Sequence, residues 1–194
     1  MQRLIEGFHR FRQGYYADQH ELYERLAIEG QKPRTMVIAC ADSRVDPQLL
    51  FQSAPGELFV LRNVANLVPP YQPDSNYHGA SAALEFAVKE LRVEDIIVLG
   101  HAHCGGVASL LAGPAAAPSD FIGPWMSIAN SARSVAAAAA ESEASRIGEH
   151  ETVRISLRNL LTFPWIRDRI ASGSLGVHGC WFDLATGELI ELRA

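Results

Sequence analysis

An α/β fold is what this sequence predicts: a mostly parallel central sheet flanked by helices, with a C-terminal hairpin at one edge. Three observations lead there. The apolar runs Met36-Val-Ile-Ala39 and Ile96-Ile-Val-Leu99 read as buried strands. Strands and helices alternate through the first hundred residues, which implies parallel strands joined by crossover helices. Each run also ends in chemically reactive residues, Cys40-Ala-Asp42-Ser-Arg44 after the first and His101-Ala-His103-Cys104-Gly105-Gly106 after the second. Ligands of such sheets bind beyond the carboxyl ends of the strands.

Taken in order, residues 2–13 carry Leu4, Ile5, Phe8 and Phe11 at near-helical spacing. Asp18 to Ala27 repeats the pattern with Leu22, Tyr23 and Leu26, and Gly30 follows as a C-cap. Two short amphipathic helices bury little alone, so they are expected to pack across the main body or onto a second subunit. Thr35–Ala39 is the first strand. Asp46-Pro47 opens a short helix through Phe51, with Pro in the first turn, where its missing N–H does no harm. Ser53-Ala-Pro-Gly56 is a turn, Leu58–Arg62 the second strand, and Asn63 to Pro73 a loop. Ser75 to Leu91 reads as a helix and Asp95–Gly100 as the third strand. Val107–Leu111 is helical until Gly113-Pro114. Trp125 to about Ala144 reads as one long Ala-rich helix, followed by helices over 149–161 and 164–171. Leu175–Leu184 and Glu188–Leu192, joined by Ala185-Thr-Gly187, form the hairpin. One domain over 1–194 is expected, an N-terminal arm over 1–30 and an α/β core over 35–194.

Composition narrows the function. With 48% hydrophobic and 20% charged residues, 194 residues can bury a sizeable core. A net charge of −5 without a Lys/Arg-rich run argues against nucleic acid as partner. Charges interrupt Met1 to Arg10 where a signal peptide needs an apolar stretch. No window approaches the roughly 18 apolar residues of a membrane span. Three cysteines, an odd count, argue against a disulfide framework and fit a reducing cytoplasm.

Cys40, His101 and Cys104 read as a catalytic zinc set, since zinc takes thiolate and imidazole and catalytic sites leave one position open. The two-residue gap between His101 and Cys104 lets one turn bring both to one ion. Gly105 and Gly106 let the backbone approach without a Cβ. A structural site needs a fourth soft ligand, and the remaining thiol, Cys180, lies inside a predicted strand as a buried apolar residue. Asp42 and Arg44 form either a structural ion pair or a functional one, in which Arg44 holds Asp42 ionised to orient a nucleophile or to bind zinc itself.

These residues carry a family resemblance. Cys40-x-Asp42-Ser43-Arg44, then Pro55-Gly56-Glu57-x-Phe59-Val60-x-Arg62-Asn63-x-Ala65-Asn66, then His101-x-x-Cys104-Gly105-Gly106 resemble, in order and spacing, a β-class carbonic anhydrase. The resemblance is close over roughly residues 30 to 110. It returns near Ser156-Leu-Arg-Asn-Leu160 and Val177-His178-Gly179. It implies a lyase that reversibly hydrates CO2 to bicarbonate and a proton by attack of zinc-bound hydroxide. One zinc per chain would sit on Cys40, His101 and Cys104, with Asp42 and Arg44 as the orienting dyad and Asp42 as an alternative fourth ligand. It also implies an obligate dimer, or a tetramer or larger assembly, in which N-terminal helices wrap the partner and the site lies near the interface.

Finer resemblance is to plant-like members. It implies Gln31 as a polar handle on substrate, with Phe59, Phe86, Val64 and Gly105 around the pocket; Phe86 stands where a tyrosine is common. In the bicarbonate-regulated subgroup a Trp–Arg–Tyr trio recurs. Here Arg62 is present but Val37 and Phe182 replace its partners, so no inhibitory site of that kind is expected. Two thiolates should leave the metal's water less acidic than the value of about 7 known for a three-histidine carbonic anhydrase.

Other residues read more plainly. His103 is the weaker ligand candidate, because adjacent positions of a strand point opposite ways. His178 reads as a core histidine, His9, His20, His78 and His150 as surface or helix-face residues, and Trp125, Trp165 and Trp181 as core or interface anchors. Two other functions share the motifs: a hydrolase of CS2 or COS on the same scaffold, and a non-catalytic zinc protein.

Overall fold

The computed structural model describes residues 1–113 and 119–193. Its centre is a five-stranded sheet in the order β2-β1-β3-β4-β5. The strands are β1 (Thr35–Cys40), β2 (Leu58–Asn63), β3 (Asp95–His101), β4 (Gly176–Phe182) and β5 (Leu189–Leu192). β1 runs parallel to β2 and β3, and β3 to β4; only β5 is antiparallel, on the edge, as the hairpin reading requires.

Side chains alternate between the two faces along each strand. Met36, Ile38, Ile96 and Val98 pack into the main core. Against them lie Leu84, Ala87 and Val88, then Val153, Leu157 and Leu160 of α9 (Glu141–Leu160), and Phe163 and Ile166 of the α10 region (α10, Pro164–Ala171). Val37, Ala39 and Leu99 face the other way, toward Val45, Leu50 and Phe51 around α4 (Pro47–Leu50). Asp46 caps α4, its Oδ1 accepting the Gln48 and Leu49 N–H groups at 3.0 and 3.3 Å. A third cluster forms beyond the strand ends, where Cys40, Ala65, Leu67 and Cys104 meet α6 (Gly105–Ala112), α7 (Ile122–Ser127) and α8 (Asn130–Ala137).

Three sequence expectations shift. The helix expected from Ser75 begins at Gly79, as α5 (Gly79–Glu85), and continues as a π-helical turn over Phe86–Glu90. Asp74 explains the delay: its carboxylate accepts the Asn76 N–H at 2.7 Å and bonds the His78 ring, a local turn that competes with helix. The single helix expected over 125–144 is instead α7, α8 and the start of α9. Ala140 is extended at ψ 144°, and Glu141 and Glu143 then open α9 at the end where the helix dipole favours acids. The helix expected to start at Glu149 is the later half of α9. Gly113 closes α6 as expected; Pro114 lies outside the described residues.

The arm consists of α1 (Gln2–Gln13), α2 (Tyr15–Asp18) and α3 (His20–Glu29), and none of the three buries a residue. Leu4, Phe8, Phe11 and Tyr15 stay exposed; Leu26 reaches the body at Gly56. No helix among the described residues is long and apolar enough to cross a membrane.

Candidate metal centre

β1 and β3 are neighbours in parallel register, Ala39 opposite Leu99, so Cys40 and His101 leave the sheet side by side. The chain then turns through His103, whose φ of 55° bends the backbone so that Cys104 faces back. The ligand atoms of Cys40, His101 and Cys104 lie within 4.8 Å of one another, all three residues buried. His103 is not in that group; its ring is exposed, and its carbonyl accepts Arg44 Nη2 at 3.0 Å.

The donor set fits a zinc ion. The sulfurs of Cys40 and Cys104 are 3.9 Å apart. Two tetrahedral Zn–S bonds of about 2.3 Å place sulfurs about 3.8 Å apart. His101 Nδ1–H donates to the Ala102 carbonyl at 2.9 Å, which leaves Nε2 with a lone pair. That Nε2 is buried without a hydrogen-bond partner, a costly condition that a metal relieves. The thiol of Cys104, then His101 and the N–H groups of Asp42 and Ala65, hold Cys40 well below the ordinary thiol range, against its burial. The same contact, together with burial, pushes Cys104 up.

Arg44 grips Asp42 at both oxygens, Nε to Oδ1 at 2.9 Å and Nη2 to Oδ2 at 2.8 Å; the Arg44 N–H adds a third bond to Oδ1 at 3.0 Å. These bonds hold the Asp42 carboxyl well below the usual carboxylate range despite its burial. Oδ2 lies 3.9 Å from His101 Nε2, so the pair borders the metal set.

Arg62 reaches over from β2. It donates to the carbonyls of Cys40, Asp42 and Val45 at 3.0, 2.6 and 2.7 Å, and to Asp46 at 3.3 Å. Its guanidinium is thus committed to the loop that carries the dyad.

Of the pocket residues, Val64 lies against Gly106, where an added Cβ would meet it at 2.8 Å; at Gly105 a Cβ would meet open space. The other three are elsewhere. Phe59 stands opposite Met36, four residues before Cys40, or about 13 Å along the strand. It packs on Phe86, itself 45% exposed, at 5.8 Å between ring centroids. Gln31 is exposed between α3 and β1.

Two histidines differ from expectation. His178 is an exposed residue bonded to Asp95 at 2.7 Å, because its register position beside Ile97 points it off the core. His150 packs edge-on to Trp181 at 4.7 Å with its Nε2 buried. Sequence reasoning also missed Glu149. This buried carboxylate accepts the Cys104 N–H at 3.3 Å and Trp181 Nε1–H at 3.1 Å. Its signal was a charge in line with Val153 and Ser156 on the buried face of a helix.

Comparison with known proteins finds carbonic anhydrases. The family model described as carbonic anhydrase matches residues 35–189. A carbonic anhydrase of Synechocystis sp. is 36% identical over 98% of this chain and 70% of its own length. The mitochondrial beta carbonic anhydrase 6 of Arabidopsis thaliana is 39% identical over 100% of this chain and 68% of its own. Among solved structures, the beta-carbonic anhydrase CcaA superposes with a TM-score of 0.91 at 36% identity, covering 98% of this chain and 86% of that one. A tetrameric beta-carbonic anhydrase of Sordaria macrospora superposes at 0.87 with 28% identity, covering 100% and 96%.

Proposed function

The chain belongs to the β-carbonic anhydrase family and is an enzyme of that class, and on that premise we propose that it hydrates CO2 reversibly at a zinc ion held by Cys40, His101 and Cys104. The observation that carries this reading is the buried, unpartnered Nε2 of His101 between two thiols and beside the Asp42–Arg44 pair. Zinc there would supply a Lewis acid that makes water a nucleophile near neutral pH.

The chain's own residues do the rest. Asp42 Oδ2 accepts a hydrogen bond from the attacking water and turns an oxygen lone pair toward the CO2 carbon. Carbon and oxygen bond, one C=O pair moves onto oxygen, and the water's second proton leaves for solvent, giving bicarbonate and H+. Arg44 keeps Asp42 ionised and aimed, and a carboxylate held this way orients rather than ligates. Val64 supplies an apolar wall that suits an uncharged substrate.

The remaining pocket residues act across a subunit boundary in this proposal. Phe59 and Phe86 lie too far from their own Cys40 to line its pocket, and Phe86 is exposed. If they and Gln31 serve substrate, they serve the metal centre of a second copy. The bare apolar arm supports such a dimer, and the tetrameric relative shows that this fold assembles. We also place the protein, one domain over 1–194, in a reducing cytoplasm, on the strength of its three free cysteines.

The test is stopped-flow CO2 hydration against pH on protein of known zinc content, beside Asp42→Ala. Fast hydration with about one zinc per chain, lost in the variant, supports the proposal. Full zinc without hydration at any pH overturns it and directs the search to CS2 and COS.

A further inference from the structure

One stripe of α9 touches both halves of the metal centre. Glu149, Val153 and Ser156 follow at i, i+4 and i+7, so they share a face. Glu149 Oε1 accepts the Cys104 N–H, and Oε2 is anchored by Trp181 of β4. Val153 lies where Gly100, the residue before His101, has no side chain; a Cβ there would meet its Cγ2 at 2.6 Å. Ser156 is fully buried, and its Oγ donates to the Asn66 carbonyl and accepts the Val68 N–H, both at 3.1 Å.

The turn that Ser156 holds is strained. Ala65 and Asn66 have φ of 62° and 48°, a left-handed conformation that residues other than glycine rarely adopt. Asn63 clasps the same turn by bonding both backbone groups of Leu67 at 2.9 Å, and Asn159 of α9 donates to the Val68 carbonyl at 2.8 Å. The turn follows Asn63, the strand partner of Cys40, and buries Ala65 in one cluster with Cys40 and Cys104.

We propose that Glu149 and Ser156 are positioning residues of the metal centre: one helix face fixes the Cys104 loop at one end and the Cys40-facing turn at the other, with Val153 setting the spacing against Gly100. The proposal rests on the zinc reading above. Residues that orient metal ligands through such contacts change metal affinity about 10- to 100-fold when replaced.

The experiment compares zinc-loaded wild type, Glu149→Gln, Ser156→Ala and Thr152→Val. Thr152 is buried on the same helix but bonds only carbonyls of its own helix, Gly148 and Glu149, and so controls for general damage. Zinc transfer to a chelator is timed, and the thiolate-to-metal absorption of cobalt-substituted protein is recorded. Glu149→Gln and Ser156→Ala should lose zinc about 10- to 100-fold faster, with altered cobalt spectra, while Thr152→Val matches wild type. Wild-type rates and spectra in both variants overturn the proposal, as does equal loss in Thr152→Val. Wild type that binds no zinc overturns the zinc reading itself, a separate result. If a variant does not fold, hydrogen exchange on full-length wild type decides. The Cys104 and Val68 amides should stay protected after zinc removal; exchange as fast as in a loop shows that metal, not α9, orders them.

Discussion

Asp42 and Arg44, two residues apart in sequence, meet through a bidentate ion pair 3.9 Å from the unpartnered nitrogen of His101. Removing the guanidinium leaves a partly buried carboxylate free to rotate, without touching a metal ligand. Arg44→Ala should therefore keep its zinc and lose kcat/KM by about 10- to 100-fold. Zinc analysis beside stopped-flow assays checks this. Loss of zinc together with activity would make the pair structural.

The three thiols should separate cleanly. Cys40 and Cys104 lie in the metal group, whereas Cys180 packs with Val37, Ala39 and Leu99 on the sheet's other face. Cys104→Ser should abolish zinc binding at stoichiometric metal. Cys180→Ser should retain zinc and activity and lose about 1–3 kcal/mol of stability, since a hydroxyl replaces an apolar sulfur in the core. Denaturant titration with metal analysis reads both.

The strand ends were legible because apolar runs that stop at Cys40 and His101 admit few structures. That Cys40, His101 and Cys104 would meet in one group followed from residue chemistry and order. The breaks around Ala129 and Ala140 were not legible: alanine favours helix everywhere and carries no stop signal, so tertiary packing set the ends. Glu149 and Ser156 were hidden for a different reason. Their partners lie 45 residues away at Cys104, and 90 and 88 away at Asn66 and Val68. Arg62 was read for the partners it lacks, while its actual bonds to three carbonyls depend on how the loop folds back.

Arg62→Ala should remove four hydrogen bonds from the loop carrying Cys40, Asp42 and Asp46. Three of the acceptors are backbone carbonyls, and leaving them without partners costs about 1–3 kcal/mol each where they are buried. The expected outcome is a lower melting temperature with weakened zinc binding, and no change in the steepness of the pH-activity curve. A wild-type curve that is strongly sigmoidal, and becomes simple in Arg62→Ala, would show a regulatory bicarbonate site instead.

His150 gives stability a pH dependence of definite sign. Burial first, then the Arg146 and Arg154 charges, lower its pKa to about 4. The unfolded chain binds this proton near 6.5. Between those values the unfolded state holds more protons, so stability rises with pH and falls as pH drops from about 6.5 toward 4. His150→Phe keeps an aromatic edge against Trp181 and removes the titration. Melting temperatures at pH 5 and 7 should differ less in the variant than in wild type; an unchanged difference would assign the slope to other groups.

The arm exposes Phe8 at 57% and Leu4 at 71%, with no residue of α1 to α3 buried in its own chain. Apolar surface of that kind on a folded helix is stable in water when a partner covers it. The three core clusters contain no residue of the arm, and Leu26 meets the body at Gly56. A variant lacking residues 1–28 should stay folded, sediment as a smaller species and melt lower. If Phe59, Phe86 and Gln31 serve a second copy's metal centre as proposed, it should also lose activity faster than it loses zinc. Unchanged mass and melting temperature would remove the arm from the interface; full activity in a monomer would return the pocket to a single chain.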